Sequence, residues 1–239
     1  MLPCWDAHDT RVTALCLLHP GPWGDAATAA ADGGVRTWRL ERAGGGDAPA
    51  PCLSLPASDA AVTSLVASPD GNCPWLVVSG DGSGRVAGWD MRTRCASPAW
   101  DRPTAGAGAR ITQLSLLPGC EGVVASCSGG WLRLLDIRAG GVQHRDAAAN
   151  IGRGRPVGCC AAWRGHVLGG TDAGEVVVWD AGAAGRAAHP LRRPAAGGAA
   201  PLVGMAVALA SSEGGDDEGE TLVTLDSAGV LRSWAWPKE

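Results

Sequence analysis

Five times along the chain, a small polar and glycine turn leads into a short apolar-alternating run with a bulky terminus. The copies are "ADGGVRTWRLER" from Ala31, "SGDGSGRVAGWDMR" from Ser79, "CSGGWLRLLDIR" from Cys127, "TDAGEVVVWDAG" from Thr171 and "LDSAGVLRSWAW" from Leu225. The runs end at Trp38, Trp89, Leu135, Trp179 and Trp234, so successive termini are 51, 46, 44 and 55 residues apart. Upstream of each lies a run opening on Val, Ile or Leu: "VTALCLL", "VTSLVAS", "ITQLSLL", "VGCCAAW" and "LVGMAVAL". A second short run follows ("AATAAA", "WLVVSG", "GVVASC", "HVLGG", "TLVTL"), and a looser segment such as "PCWDA", "APCLSLPA" or "SPAWDRP" precedes the unit. Self-similarity at this period constrains the fold more than any single motif.

Runs of this length, broken by Gly, Asp and Pro, are strand-sized. Asp-Gly between two of them signals a hairpin, because such turns need residues that tolerate positive φ. Asp32-Gly33, Asp81-Gly82 and Ser128-Gly129 are therefore expected turns, with Asp172 and Asp226 in the corresponding places of the last two repeats. A four-stranded antiparallel unit cannot bury both faces alone. Stacked face to face around an axis, five or more can, which predicts an all-β chain, a β-propeller of four-stranded antiparallel blades. The repeats fall at about 3–41, 51–92, 97–138, 142–181 and 188–236 within one domain spanning 1–239. Burying each terminal tryptophan contributes roughly 2–3 kcal/mol by area. The third repeat, with Leu135 in that slot, is the expected weak point.

On these residues the chain resembles the WD-repeat β-propellers: "VVSGDGSGRVAGWD" matches their strand–turn–strand signature, and "AHDTRVTAL" from Ala7 their His-containing opening segment. The resemblance implies a buried hydrogen-bonded set of a His, a turn Asp, a Ser or Thr and the Trp. His8, Asp32 and Trp38 are present in the first repeat, with Ala30 where Ser is expected. The second repeat offers Ser79, Asp81 and Trp89, and the fifth Thr224, Asp226 and Trp234. On this count no repeat has all four. The family is mostly seven-bladed, which leaves two readings of five repeats. The chain closes as a five-bladed ring, with "LPCWDA" as the outer strand of the last blade, or it is an incomplete seven-bladed propeller.

The same sequence argues against several kinds of chemistry. A net charge of −4 gives no global attraction to nucleic acid or anionic lipid. No apolar run approaches the roughly 20 residues needed to span a bilayer, so no membrane insertion is expected. The start "MLPCWDAHDT" lacks the charged and apolar regions of a signal peptide, so an intracellular location, cytoplasmic or nuclear, is expected. Nine cysteines without a Cys-x-x-Cys pair read as small buried residues, not as a disulfide or zinc framework. Absent Phe and Tyr and a single Lys, Lys238, reflect a GC-rich coding sequence, so Arg usage says nothing about phosphate. Gly80, Gly82 and Gly84 lead into a strand without a Lys and do not make a phosphate loop. Propeller enzymes place carboxylates or histidines on the innermost strands, and the five runs quoted for those strands contain none. No catalytic residue, metal ligand or cofactor is expected.

What remains is surface for protein partners. "WDMR" (Trp89–Arg92) and "LDIR" (Leu135–Arg138) end successive repeats alike. A similar pair in WD-repeat substrate receptors of cullin-RING ubiquitin ligases contacts the ligase adaptor, which by resemblance makes Asp90, Arg92, Asp136 and Arg138 docking residues. The competing reading is a strand-end pair bonded locally. The order of these blades also resembles the C-terminal propeller of the Raptor family, scaffolds of the target-of-rapamycin complex. Trp5 and Trp100, each followed by Asp, are candidate rim anchors or packing residues. The acidic run "SSEGGDDEGE" (Ser211–Glu220), "GRGRP" (Gly152–Pro156) and "AGAAGRAAHPLRRPAAGG" (Ala181–Gly198) read as solvated or flexible connections. The expectation is a non-enzymatic scaffold whose partners are proteins.

Overall fold

A computed structural model describes residues 6–40, 50–68, 73–93, 97–103, 109–137, 147–163, 166–179, 189–192, 200–210 and 219–234. Among these described residues lie nineteen strands arranged as five antiparallel sheets. The first holds β1 (Val12–Gly21), β2 (Gly24–Ala30), β3 (Gly34–Trp38) and β4 (Leu53–Pro56). The second holds β5 (Val62–Ala67), β6 (Leu76–Asp81), β7 (Arg85–Asp90) and β8 (Trp100–Pro103). The third holds β9 (Ile111–Leu116), β10 (Gly122–Cys127), β11 (Trp131–Asp136) and β12 (Ala147–Asn150). The fourth holds β13 (Val157–Trp163), β14 (His166–Thr171), β15 (Val176–Trp179) and β16 (His189–Arg192). The fifth holds β17 (Leu202–Ala210), β18 (Gly219–Asp226) and β19 (Leu231–Trp234). A 3₁₀ turn runs over Pro118–Cys120, and among the described residues no helix is long and apolar enough to cross a membrane.

Within a sheet the strands pair in chain order, and the fourth comes from the segment that leads into the next repeat. Each complete sheet is thus tied covalently to its successor. The acidic run ends inside β18, at Gly219 and Glu220, and Ser211 to residue 218 lie outside the described residues. Within the segment read as a flexible connection, His189–Arg192 form β16 beside β15.

Neighbouring sheets stack through their first strands: β1 packs on β5, β5 on β9, β9 on β13 and β13 on β17. Among the described residues no comparable packing joins β17 or β18 to β1 or β2, so the series stays open. The segment "LPCWDA", read as a closing strand, lies almost wholly outside the described residues, and the fifth sheet has three strands.

Register explains the stacking. Each first strand carries a bulge after its first residue, at Thr13, Thr63, Thr112, Gly158 and Val203. The second position after the bulge, Leu65, Leu114, Cys160 or Met205, is buried against the preceding sheet. Three bulge threonines stitch sheets together. Thr13 donates its hydroxyl to the Val62 carbonyl, Thr63 to Ile111 at 2.7 Å and Thr112 to Val157 at 2.6 Å. Gly158 has no hydroxyl, and a Cβ there would lie 2.2 Å from the Leu202 carbonyl oxygen.

The terminal side chains Trp38, Trp89, Leu135 and Trp179 are all buried, while Trp234 is half-buried. Leu135 belongs to a cluster against which Trp75, Trp100 and Trp131 pack, so aromatic bulk surrounds the smaller side chain. The turns differ from the expected Asp-Gly scheme. Counting back from the terminal residue, the positive-φ glycine is the same in every sheet: Gly33, Gly84, Gly130, Gly174 and Gly229. By this count Asp81 and Asp226 are equivalent, whereas Asp32 lies two places later in its turn and Asp172 one. Equivalent to Asp81 are Ala30, Cys127 and Thr171.

Candidate interaction surfaces

The polar residues of the turns are spent inside the sheets. Trp38 Nε1 donates to Thr28 Oγ1 at 2.8 Å, and that hydroxyl lies 2.8 Å from His8 Nε2. The hydroxyl accepts from the indole, so its own hydrogen is free for the imidazole, and His8 Nδ1 is left 3.9 Å from the Asp32 carboxylate. The first repeat therefore has all four members of the expected set: Thr28, not Ala30, is the hydroxyl residue. The signal was a spacing of ten residues before the Trp, repeated by Ser79 with Trp89 at 2.9 Å and Thr224 with Trp234 at 2.8 Å.

Asp81 accepts from the Ser83 and Arg85 backbone N–H groups at 2.8 and 3.0 Å, and from the Ser58 and Ser83 hydroxyls. Burial pushes its carboxyl up, but these four donors outweigh that and hold it below the usual carboxylate range. Asp226 accepts from the Ala228 and Val230 N–H groups at 3.0 and 2.9 Å, and Arg232 closes its other oxygen at 2.7 Å. Those bonds, led by Val230, lower its pKa. In the fourth sheet Thr171 takes the part of Asp81, accepting from Glu175 N–H at 3.2 Å, while Asp172 pairs with Arg155 at 2.8 Å.

Of the residues read as docking points, Asp90 and Arg92 lie together at the end of β7. The guanidinium meets the carboxylate through Nε at 2.9 Å and an Nη at 2.7 Å, and lies 3.9 Å from the centre of the Trp75 ring. The Arg92 hydrogen bonds lower the Asp90 pKa. Arg92 is thus held in one posture with about half its side chain exposed. Asp136 ends β11, and Arg138 and Trp5 lie outside the described residues. Trp100 is half-buried with its ring over Gly88, where a Cβ would be 2.1 Å away. Of the cysteines, Cys159 and Cys160 are buried, with burial pushing each thiol up to about 12, but Cys52 is exposed.

Between the first strands of the third and fifth sheets lies a cavity of about 450 Å³. Thr112, Gln113, Val203, Met205, Val223 and Leu225 are among its lining residues, and Gln113 spans it by donating to the Met205 carbonyl at 3.3 Å. The first strand of the first sheet runs further than the sequence pattern indicated and includes His19, which is exposed.

The two end faces are the least satisfied surfaces. Leu15 is 63% exposed, against 7%, 4%, 0% and 6% for its equivalents Leu65, Leu114, Cys160 and Met205. Leu231 is 66% exposed, whereas Val35, Val86, Leu132 and Val176 are fully buried. Beside Leu15 stand Val12 and Leu17, and beside Leu231 stand Val203 and Leu225, all exposed. Sequence pattern missed these residues because periodicity marks which face a side chain takes, not whether anything covers it.

No family model matches the chain, and no curated protein matches its sequence. Solved structures do. The computationally designed Ika8 protein is similar with a TM-score of 0.64 and 20% identity, over 97% of this chain and 60% of that one. Sqt1 of Saccharomyces cerevisiae is similar with a TM-score of 0.73 and 13% identity, over 97% of this chain and 61% of that one. The chain thus spans about three fifths of the length of the solved chains it matches. With 1132 solved chains alike in fold, the fold selects no function. Together with the five stacked antiparallel sheets, these likenesses show a WD-like β-propeller fold.

Proposed function

We propose that the chain is a non-enzymatic scaffold that holds other proteins on a rigid stack of sheets. The observation that carries this reading is the exposed apolar pair of end faces. Leu15 and Leu231 sit at positions that the interior sheets bury almost completely. Apolar side chains set in such a framework favour protein contact, since burial of each returns roughly 1.5–3 kcal/mol. The turn carboxylates Asp81 and Asp226 are engaged by their own hairpins, which suits them to structure and not to chemistry. A pre-formed framework also loses little conformational freedom when it binds. Proximity labelling in the source organism, with the chain as bait, is expected to return a reproducible set of protein neighbours. The set should shrink when Leu15→Asp and Leu231→Asp are combined. Neighbours no different from those of an inert bait would refute the reading.

One observation favours the narrower reading of a ubiquitin-ligase substrate receptor. Arg92 is half exposed and pre-set by Asp90 and Trp75, as a docking guanidinium should be. Reversal to Arg92→Glu is expected to abolish pull-down of the ligase adaptor while leaving the melting temperature within about a degree, because an exposed pair contributes little to stability. Undiminished pull-down rejects it. The resemblance to the Raptor propeller has no such observation behind it.

A further inference from the structure

The hairpin turn of the third sheet carries no acid, and arginines stand on both sides of it. Between the end of the second strand and the positive-φ glycine, the other four hairpins carry Asp32, Asp81, Asp172 and Asp226. The third, residues 127–130, has no carboxylate. Backbone bonds fix what flanks it. On one side Ser128 N–H donates to the Arg110 carbonyl at 2.9 Å, and on the other Gly152 N–H donates to the Gly130 carbonyl at 2.9 Å. Backbones bonded in this way lie about 5 Å apart, which puts Arg110 and Gly152 roughly 10 Å from each other across the hairpin.

The turn at 152–155 is closed by Arg155 N–H donating to the Gly152 carbonyl at 2.9 Å, with Arg153 at φ 51° and Gly154 at φ 87° between them. Two successive left-handed residues favour Gly, Asn or Asp, so an arginine there is set against the preference of the backbone. Residues held in such conformations cluster at sites where the side chain is used. A Cβ on Gly154 would meet nothing within 4 Å, so the tip stands clear of the sheets. Arg110, Arg153 and Arg155 are all exposed. Arg155 meets Asp172 at 2.8 Å, whereas Arg110 and Arg153 have no ion pair or side-chain hydrogen bond among the described residues. Asp172 thus offsets one of the three charges and leaves two uncompensated.

The other repeats show that this charge belongs to one place. Arg153 occupies the position that Asp59 holds after the first sheet, where Ser58 N–H bonds the Gly33 carbonyl as Gly152 bonds Gly130. Arg110 corresponds to Arg11, but the hairpin beside Arg11 carries Asp32.

Resting on the scaffold reading, we infer that Arg110, Arg153 and Arg155 around the third hairpin form the docking point for an acidic segment of a partner protein, a run of Asp and Glu side chains. Arg155 displays the chemistry in place, since it already holds a carboxylate through Nε. Guanidinium forks match carboxylates through paired N–H donors, and complementary charge sets the register of the partner. Spacing favours carboxylates over a phosphorylated residue: a phosphate gathers its charge on one group, while these arginines are spread over roughly 10 Å. A nucleic-acid strand is disfavoured because it tracks along a continuous basic groove, and the equivalent places at the first sheet hold Asp32 and Asp59.

Fluorescence polarisation of the full chain with a labelled peptide bearing a run of Asp and Glu tests this. Binding is expected that the Asn and Gln counterpart peptide lacks, and it should weaken as salt rises. Arg110→Gln combined with Arg153→Asn is expected to lower the affinity about tenfold. Asn suits the left-handed turn better than Arg, so the melting temperature of Arg153→Asn is expected to hold or rise, which separates lost binding from lost folding. Arg11→Gln, at the equivalent place in the first sheet, is expected to leave binding unchanged. No binding, an undiminished affinity in the double variant, or an equal loss from Arg11→Gln overturns the inference. Tighter binding of a phosphoserine peptide or of single-stranded RNA at the same salt overturns it as well. Should it fail while proximity labelling still returns protein neighbours, the scaffold function stands and its contacts lie elsewhere on the chain.

Discussion

His8 lies buried beside the Trp38–Thr28 pair, and its imidazole couples folding to pH. Burial pushes its pKa below the ordinary 6.5 and the Arg36 charge adds to this; Asp32, the bond to Thr28 and Asp9 pull it back only in part. The unfolded chain keeps the ordinary value, so below about pH 6.5 it takes up the proton first. The contribution of neutral His8 is complete above that pH and is lost as the pH falls toward the folded value. The melting temperature is therefore expected to drop between pH 7.5 and 5.5, and His8→Gln should flatten that slope. Equal slopes in both proteins would mean that the imidazole charges freely in place. The sequence displays His8, Asp32 and Trp38, but the place next to the Asp where the resemblance puts the hydroxyl holds Ala30. Turn length varies in how its polar residues are placed, whereas strand pairing fixes the distance to the Trp, so Thr28 was legible only by counting from Trp38.

At the level of strands and turns, the five hairpins share a left-handed glycine although their sequences share little else. Gly33 has φ 81° and Gly229 φ 82°, so alanine at either must adopt a conformation costing about 1–2 kcal/mol. Their surroundings differ. A Cβ on Gly33 would lie 1.9 Å from the Ser58 carbonyl oxygen in the connection between β4 and β5, while one on Gly229 meets nothing within 4 Å. Gly229→Ala should therefore lose only the conformational cost, and Gly33→Ala distinctly more, as read by urea unfolding. Comparable losses would show that the β4–β5 connection yields freely at Ser58. Strands β2, β6, β10, β14 and β18 were legible because short runs of apolar and small residues sit at a constant place ahead of the turns. Strand β16 was not, since Pro190 and its neighbouring arginines give "HPLR" the composition of a loop. An outer strand needs one bonding edge, so proline and charge are tolerated there, and pattern alone cannot separate such a strand from a connection.

For the molecule as a whole, repetition made the stack legible and hid its ends. Every repeat shows the same pattern whether or not a neighbour covers it, so Leu15 and Leu65 look alike in sequence and differ from 63% to 7% in exposure. Stability in a stack is approximately the sum of each unit and its junctions. The second, third and fourth sheets have two junctions each, and the first and fifth have one. The first sheet offsets this with a fourth strand and the His8–Thr28–Trp38 set. The fifth has three strands among the described residues, a half-buried Trp234 and an exposed Leu231. Local opening is governed by such differences in buried contacts. Amide exchange followed by mass spectrometry is accordingly expected to be slowest in β10 and β14, intermediate in β2 and fastest in β18 and β19. Uniform protection across all five sheets would mean that β17 and β1 meet in solution, and an open stack with two apolar end faces would no longer describe the protein.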